Sequence, residues 1–385
     1  MRSQLINAVR GVFRALRKEM SAYVPLIEVR ISRDAILHNF NVFKGLSDKV
    51  SVAPVLKSNA YGHGLVEVAR VLDGERPPFF CVDSFFEALI LRNEGIRSPI
   101  LIIGYTPIEN VIEQKLGNVA FGIVSLVDLE RLAKRVHSRT SIHLKIDTGM
   151  HRHGIMPGEI NEAVRIVRSD PHLELEGVYS HLADADMANS TLTESQITEW
   201  NTAAKTIRSA IPSVRYFHLS ATSGSAYTPN IDANVMRLGI GLYGITFGQH
   251  KLDVRPALEM RTRITSLRTV RTGGAIGYNA THVAKHGLLV ASIPVGYAEG
   301  VDRRLSDKGM VSIRGELCPI LGRVSMNITS IDVTNVPDVA LDDEVVVISK
   351  NPGDPHSLQG IAERCGTIPY EIMVHIPLQL RRVVV

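Results

Sequence analysis

The stretch Val50-Ser-Val-Ala-Pro-Val-Leu-Lys57 leads directly into Ser58-Asn-Ala-Tyr61-Gly62-His63-Gly64. An apolar, β-rich run thus ends on a lysine and a glycine-punctuated turn. Seven further β-rich runs follow: Phe79 to Val82, Ile100 to Gly104, Ala120 to Val124, Ile142 to Ile146, Glu176 to Ser180, Tyr216 to Leu219 and Arg237 to Leu242. Helical stretches separate them, which is the pattern of parallel strands joined by crossover helices. Eight such units over about 215 residues suit a closed (β/α)8 TIM-like barrel. An open, doubly wound sheet is the alternative.

The texture changes near Pro256. Strand-like segments at Ile264 to Val270, Leu288 to Pro294, Met310 to Arg314 and Glu344 to Ser349 follow with little helix, apart from a helical stretch around Leu358 to Cys365. The chain is therefore expected to divide into an extension over 1–24, a barrel domain over 25–255 and a mostly-β domain over 256–385. In the extension, Leu5, Val9, Phe13, Leu16 and Met20 recur at helical spacing between basic residues. That describes a short amphipathic helix, read as an appendage rather than a membrane contact.

The formal charge of +4 resides in that extension, where Arg2, Arg10, Arg14, Arg17 and Lys18 face only Glu19. A formally neutral body gives no reason to expect nucleic acid as a partner. Cys81, Cys318 and Cys365 are widely spaced and odd in number, so neither disulfides nor a zinc site are expected. With no long apolar segment and no cleavable leader, the expectation is a cytoplasmic protein without membrane insertion.

In a barrel, catalytic groups belong at the C-terminal ends of the strands, where loops converge on one mouth. Lys57 ends the first strand, Arg152 follows the fifth, His181 ends the sixth, Thr222 follows the seventh and Arg237 opens the eighth. A lysine in such a mouth can form an imine with an aldehyde cofactor. Taken alone, it could equally be a solvated strand-end lysine. His151, His153, His181, Asp184 and Asp186 are common metal donors, but their spacing matches no familiar ligand set and no metal is expected.

The run Val55-Leu-Lys57-Ser-Asn-Ala-Tyr61-Gly-His-Gly64 resembles the cofactor-lysine signature of the alanine racemase family of pyridoxal-phosphate enzymes. Further motifs similar to that family follow in its order: Lys145 to Arg152, His218 to Thr222, Arg237 to Ile240, Gly277 to Thr281, Gly296 to Gly300 and Gly322 to Met326. The resemblance implies pyridoxal 5'-phosphate on Lys57, with Tyr61, Thr222, Gly239, Ile240 and Tyr370 around the phosphate. It implies Arg237 at the pyridine nitrogen, oriented by His181, with Arg152 and Met326 binding a small amino-acid substrate. It also implies that Lys145 is a candidate for carbamylation.

Racemisation takes a proton from one face of a carbon and returns one to the other, so two acid–base groups are needed. The resemblance assigns Lys57 to one face and Tyr278, from a second copy of the chain, to the other. The expected assembly is a homodimer with shared sites. A tyrosine acting as a base near neutrality needs a cation to favour its phenolate, and Arg152 matches the family arginine placed for that purpose. Without the resemblance, Tyr278 in Gly-Tyr-Asn would read as a turn residue.

Two departures from the family pattern bear on substrate choice. Asn327 stands where alanine-specific members carry Asp, and Ser220-Ala-Thr-Ser223 replaces the more familiar Ala-Asn-Ser-Ala. The implied activity is alanine racemisation, with serine or a wider amino-acid range as the alternative. A decarboxylase is less consistent, because Cys318-Pro319 does not resemble the Cys-Asp segment of those relatives. A non-enzymatic cofactor carrier would need only the barrel.

Overall fold

The computed structural model describes residues 24–248 and 252–385, so the amphipathic stretch expected at 5–20 lies outside the described residues. Eight parallel strands are present: β1 (Ser51–Pro54), β2 (Phe80–Val82), β3 (Ile100–Ile102), β4 (Val119–Ile123), β5 (Thr140–Lys145), β6 (Leu173–Tyr179), β7 (Tyr216–His218) and β8 (Val235–Leu238). Strands β2 to β7 form one sheet in sequence order, and β1 pairs with β8. Two joins close the ring. Val55 bridges Cys81 in parallel, and the amides of Asn234 and Arg237 reach the carbonyls of Phe217 and Ser220.

Most strand residues are buried, as expected for a parallel sheet covered on both faces. The covering helices include α1 (Arg33–Lys44), α2 (Leu65–Leu72), α3 (Phe85–Asn93), α4 (Ile108–Glu113), α5 (Leu126–Ala133), α6 (Ile160–Ser169) and α7 (Thr191–Ala210). Serine starts four of these seven: the hydroxyls of Ser32, Ser84, Ser125 and Ser190 each accept an amide of the first turn. The sequence reading expects a helix in every crossover. The link from β7 to β8 is instead a 3-10 turn over Ser223–Asn230, and β8 stops at Leu238 because Gly239 turns into the 3-10 segment Ile240–Tyr243.

The chain sorts into two compact units that interleave in sequence, where the sequence reading draws one boundary near 256. The larger holds residues 30–259, 348–378 and 382–385. Besides the barrel it contains α8 (Leu358–Cys365) and α9 (Pro369–Val374), the latter carrying Tyr370.

The smaller unit is built on antiparallel strands β9 (Ser266–Val270), β10 (Leu288–Ile293), β11 (Met310–Ile313), β12 (Glu316–Leu321), β13 (Thr329–Asp332) and β14 (Glu344–Ile348). Their spatial order is β9-β10-β13-β12-β11-β14. Val270, Ile276, Leu288, Val290 and Leu321 pack into one apolar cluster. Strands β12 and β13 are elements that the sequence reading did not single out. Among the described residues, no helix is long and apolar enough to cross a membrane.

Within the larger unit, Asn39 of α1 is fully buried and fastens the segment after β8. Its amide donates to the carbonyls of Leu242 and Arg255, and its oxygen accepts the Arg255 amide. Replacing Asn39 by Ala leaves three backbone groups without their partner, the Leu242 carbonyl buried and the Arg255 amide and carbonyl partly so. The expected loss is about 2–4 kcal/mol of stability, read as a lower urea midpoint with an unchanged slope.

Candidate active site

The site grows from the turn that follows β1. Ser58, Asn59 and Ala60 have φ of 55°, 56° and 51° with ψ near 50°, and Tyr61 follows at φ 51°. These four L-residues therefore form a left-handed helical turn, a conformation ordinarily left to single Gly or Asn residues. The surroundings hold it. Asn59 Oδ1 accepts the Leu65 amide at 2.8 Å, Glu87 accepts the amides of Asn59, Asp83 and Ser84, and Arg382 donates twice to the Gly62 carbonyl. Gly62 is a position where only glycine fits, since a Cβ there would lie 2.0 Å from the Met373 carbonyl oxygen in α9.

This turn leaves Lys57 partly exposed, with Nζ 3.9 Å from Asp83, and swings Tyr61 inward. The Tyr61 ring packs against those of Tyr243 and Tyr370, at centroid distances of 5.0 and 5.8 Å. Burial, with Tyr370 nearby, raises the Tyr61 phenol well above its ordinary range, and burial pushes Tyr370 up to about 12. Both remain neutral hydroxyls able to donate.

Those hydroxyls meet a cup at the end of β8. A Cβ on Gly239 would sit 3.0 Å from the Tyr61 hydroxyl and 4.0 Å from Thr222 Oγ1. Thr222 Oγ1 accepts the Gly241 amide at 3.0 Å, which leaves its own proton to offer. Small backbone and converging neutral donors suit a phosphate. Tyr61, Thr222, Gly239, Ile240 and Tyr370 share a cavity of about 950 Å³ with Lys57, Arg152 and His181. A neighbouring cavity of about 340 Å³ also touches Lys57, Tyr61, Arg152, His181 and Gly239, and adds Lys145 and Arg237.

Arg237 is buried without a carboxylate among its hydrogen-bond partners in the described residues. Its NH1 donates to His218 Nδ1 at 2.7 Å and to the His218 carbonyl, while NH2 reaches the carbonyls of Ser180 and Leu219. The Tyr179 ring lies 5.5 Å from the guanidinium carbon. His181 Nδ1 is 3.3 Å from NH2. The sequence reading gives orientation of this arginine to His181 alone; in the structure His218 holds it more closely. His218 stands inside a motif the sequence displays, but nothing in the motif ranks one histidine over the other. Burial, then Arg237, holds His181 down to about 3, so its ring is neutral.

Tyr278 and Met326 belong to the smaller unit. Tyr278 caps a hairpin between Ala275–Ile276 and His282–Val283 and is 68% exposed, enough to be offered to another molecule. Its neighbour Gly277 lies against Arg323, and the amides of Tyr297 and Ala298 bind the carbonyls of Ser325 and Met326. Three loops bearing separate motifs thus form one surface. On it Asn327 donates to Glu299 at 2.7 Å, so the residue that departs from the family pattern is tied to a carboxylate.

A barrel offering an amine beside a cup of neutral donors, with a buried guanidinium across the cavity, defines the barrel class of pyridoxal-phosphate enzyme. Residues 31–247 match the family described as "Alanine racemase, N-terminal domain", and residues 257–384 match "Alanine racemase, C-terminal domain". The chain is 36% identical to an alanine racemase of Syntrophobacter fumaroxidans, over 90% of this chain and 94% of that protein. It is 34% identical to alanine racemase 2 of Caldanaerobacter subterraneus subsp. tengcongensis, over 92% and 94%. Among solved structures, alanine racemase of Clostridium difficile 630 superposes with a TM-score of 0.87 at 28% identity, covering 94% of this chain and 96% of that one. The Bacillus anthracis enzyme with bound L-Ala-P gives 0.85 at 29%, with the same coverage. The chain belongs to the alanine racemase family, whose members depend on pyridoxal 5'-phosphate.

Two tests follow from this geometry. Gly239→Val fills the cup, and the expected outcome is at least tenfold weaker pyridoxal-phosphate binding in an absorbance titration, with the unfolding midpoint changed little. The second concerns acid stability. Burial holds His63 down to about 4, His143 and His181 down to about 3, and His218 well below the ordinary 6.5. As pH falls below about 6.5 the unfolded chain takes up these protons and the folded chain does not. Stability is then lost at about 1.4 kcal/mol per pH unit for each histidine, until the folded-state values are reached. Denaturant titrations at pH 7.5 and 5.5 should show the drop; equal stability at both would contradict neutral burial of the four rings.

Proposed function

We propose that this chain interconverts L- and D-alanine as a homodimer in the cytoplasm, with Lys57 and Tyr278 as the two acid–base groups. The observation that carries the reading is the Lys57 amine at the barrel mouth, sharing a cavity with the Tyr61–Thr222–Gly239 cup. Family membership and the names of the relatives support the substrate. The three cysteines are free and buried, in keeping with a reducing compartment. On this reading the barrel domain binds the cofactor, and the β domain of a second copy supplies Tyr278 and Met326.

When bound, pyridoxal phosphate supplies the electron sink that makes the substrate Cα–H acidic. Lys57 would anchor it through the amine and would move the proton on one side of Cα. Tyr61, Thr222, Gly239, Ile240 and Tyr370 hold the phosphate with neutral donors. Arg237, held by His218 and His181, would serve as a fixed donor to the ring nitrogen. Tyr278 moves the proton on the opposite side, and Arg152 holds the substrate carboxylate.

Lys145 is the candidate for carbamylation. Burial, then Arg152 and Arg237, lowers its amine to about 8, so a substantial neutral fraction exists near that pH. The neutral nitrogen attacks carbon dioxide, one carbon–oxygen π bond opens onto oxygen, and the nitrogen releases a proton. The resulting anion pairs with Arg152. Acidification favours the protonated amine and so disfavours the modification.

One observation favours a second reading. Because Asn327 is bound to Glu299, the entrance differs from that of alanine-specific members, and a wider range including serine is open. Racemisation of alanine, serine, lysine and arginine by purified, cofactor-loaded protein decides between the two.

Lys57→Ala should lose both racemisation and the borohydride-reducible linkage to cofactor; a reducible linkage surviving in that variant rejects the assignment. Tyr278→Phe should impair solvent deuterium incorporation from L-alanine more than from D-alanine, and equal loss from both isomers counts against the division of labour. For Lys145, a carbamate resonance from ¹³C-bicarbonate is expected in the native protein and absent in Lys145→Arg.

A further inference from the structure

The interior of a (β/α)8 barrel is ordinarily filled by layers of Val, Ile and Leu. Here a line of polar groups crosses it. Arg237 NH1 lies 2.7 Å from His218 Nδ1, His218 Nε2 lies 2.9 Å from His143 Nδ1, and His143 Nε2 lies 4.0 Å from Glu176. Glu176 in turn pairs with Arg215, just before β7. His143 and His218 are 1% and 0% exposed, so the line is built into the core.

Two irregularities of the sheet make room for it. Along β5 and β6, Ile142 pairs with Leu175 but His143 pairs with Gly177, so Glu176 is skipped as a bulge. A bulge re-aims side chains, and here it brings the His143 ring opposite a glycine. A Cβ on Gly177 would lie 2.5 Å from two atoms of that ring. Phe79 and Tyr216 flank His143, and Tyr179 stacks on His218 at 5.2 Å. Glycine inside a strand weakens it, and the imidazole is what that glycine admits.

The direction of the hydrogen bonds follows from the chemistry of the end group. A guanidinium has only donors, so His218 Nδ1 must be bare. Neutral His218 then carries its proton on Nε2 and donates it to His143 Nδ1. His143 in turn must carry its proton on Nε2, toward the Glu176 carboxylate. A second proton on His218 would set N–H against N–H at Arg237.

We propose that His143 is a positioning residue for Arg237: by accepting from His218 it fixes that ring in a single tautomer, which keeps Arg237 a rigid donor toward the cofactor ring nitrogen. Glu176 ends the line with a negative charge. The inference rests on the reading that Arg237 faces the cofactor. Because the His218 nitrogen facing it carries no proton, nothing behind Arg237 can replace a proton given up toward the ring nitrogen, so the guanidinium keeps its charge and the ring nitrogen stays unprotonated. The depressed titration of both histidines, caused first by burial, agrees with two neutral rings.

The first measurement uses cofactor-free protein labelled with ¹⁵N in histidine, the two rings being assigned by loss of their signals in His143→Asn and His218→Asn. His143 and His218 should each show a protonated Nε2 and a bare Nδ1, unchanged between pH 6 and 8. A proton on Nδ1 of His218 overturns the proposal. The second measurement uses the holoenzyme: His143→Leu should lower kcat for L-alanine about tenfold, with KM within about twofold. His143→Asn, whose Oδ1 can accept in place of Nδ1, should recover most of the loss; equal impairment in both variants overturns the proposal. If the native protein racemises nothing, the proposed function falls, and the nitrogen spectra still decide whether the line of tautomers exists.

Discussion

Four consecutive L-residues wound in the left-handed sense, Ser58 to Tyr61, set the geometry around them. Each costs roughly 1–2 kcal/mol relative to an ordinary backbone conformation, so the turn forms only where other interactions hold it in place. Asn59, Glu87 and Arg382 supply hydrogen bonds, and Gly62 lets α9 approach to backbone contact. The result is a sharp divergence over four residues: the amine of Lys57 remains at the mouth while the phenol of Tyr61 reaches the end of β8. A right-handed turn would carry the next residues away along a helix and separate the two groups.

A second constraint concerns charge. Arg237 is a buried cation with three carbonyls, two neutral imidazoles and an aromatic face around it, and no carboxylate within hydrogen-bond reach among the described residues. Stripping a guanidinium of water is costly unless its protons find acceptors. Here both terminal nitrogens find them in the backbone at the ends of β6 and β7, so the side chain is fixed by the barrel itself. The strand ends therefore determine both where the arginine points and how little it can move.

Much of this was legible in the sequence because strand positions in a parallel barrel are apolar runs ending in turns: seven of the eight runs fall on observed strands, while the eighth, Arg237 to Leu242, overlaps only the last two residues of Val235–Leu238 and continues into a 3-10 segment. The residues around the cup were legible through their motifs. The left-handed turn was not: Asn59, Gly62 and Gly64 hint at it, but Ser58, Ala60 and Tyr61 have no preference for that conformation. Nor was the line from Arg237 to Glu176. His143, His218 and Glu176 are far apart along the chain, and only a bulge and a strand glycine bring them into register. Strands β12 and β13 lie inside the sheet yet were missed, because β12 carries Pro319, a residue that ordinarily argues against an interior strand, and β13 spans only four residues.

The cup around Tyr61, Thr222 and Gly239 is composed of hydroxyls and backbone, with no lysine or arginine in it. A phosphate seated there is gripped by short-range dipoles rather than by long-range attraction. Dissolved ions weaken attraction between charges beyond about 8 Å under cellular conditions, but they act little on aligned donors shielded from solvent. The grip on that phosphate should then be nearly indifferent to ionic strength, and once the Lys57 linkage is broken its release depends on how often the aromatic wall formed by Tyr61, Tyr243 and Tyr370 loosens.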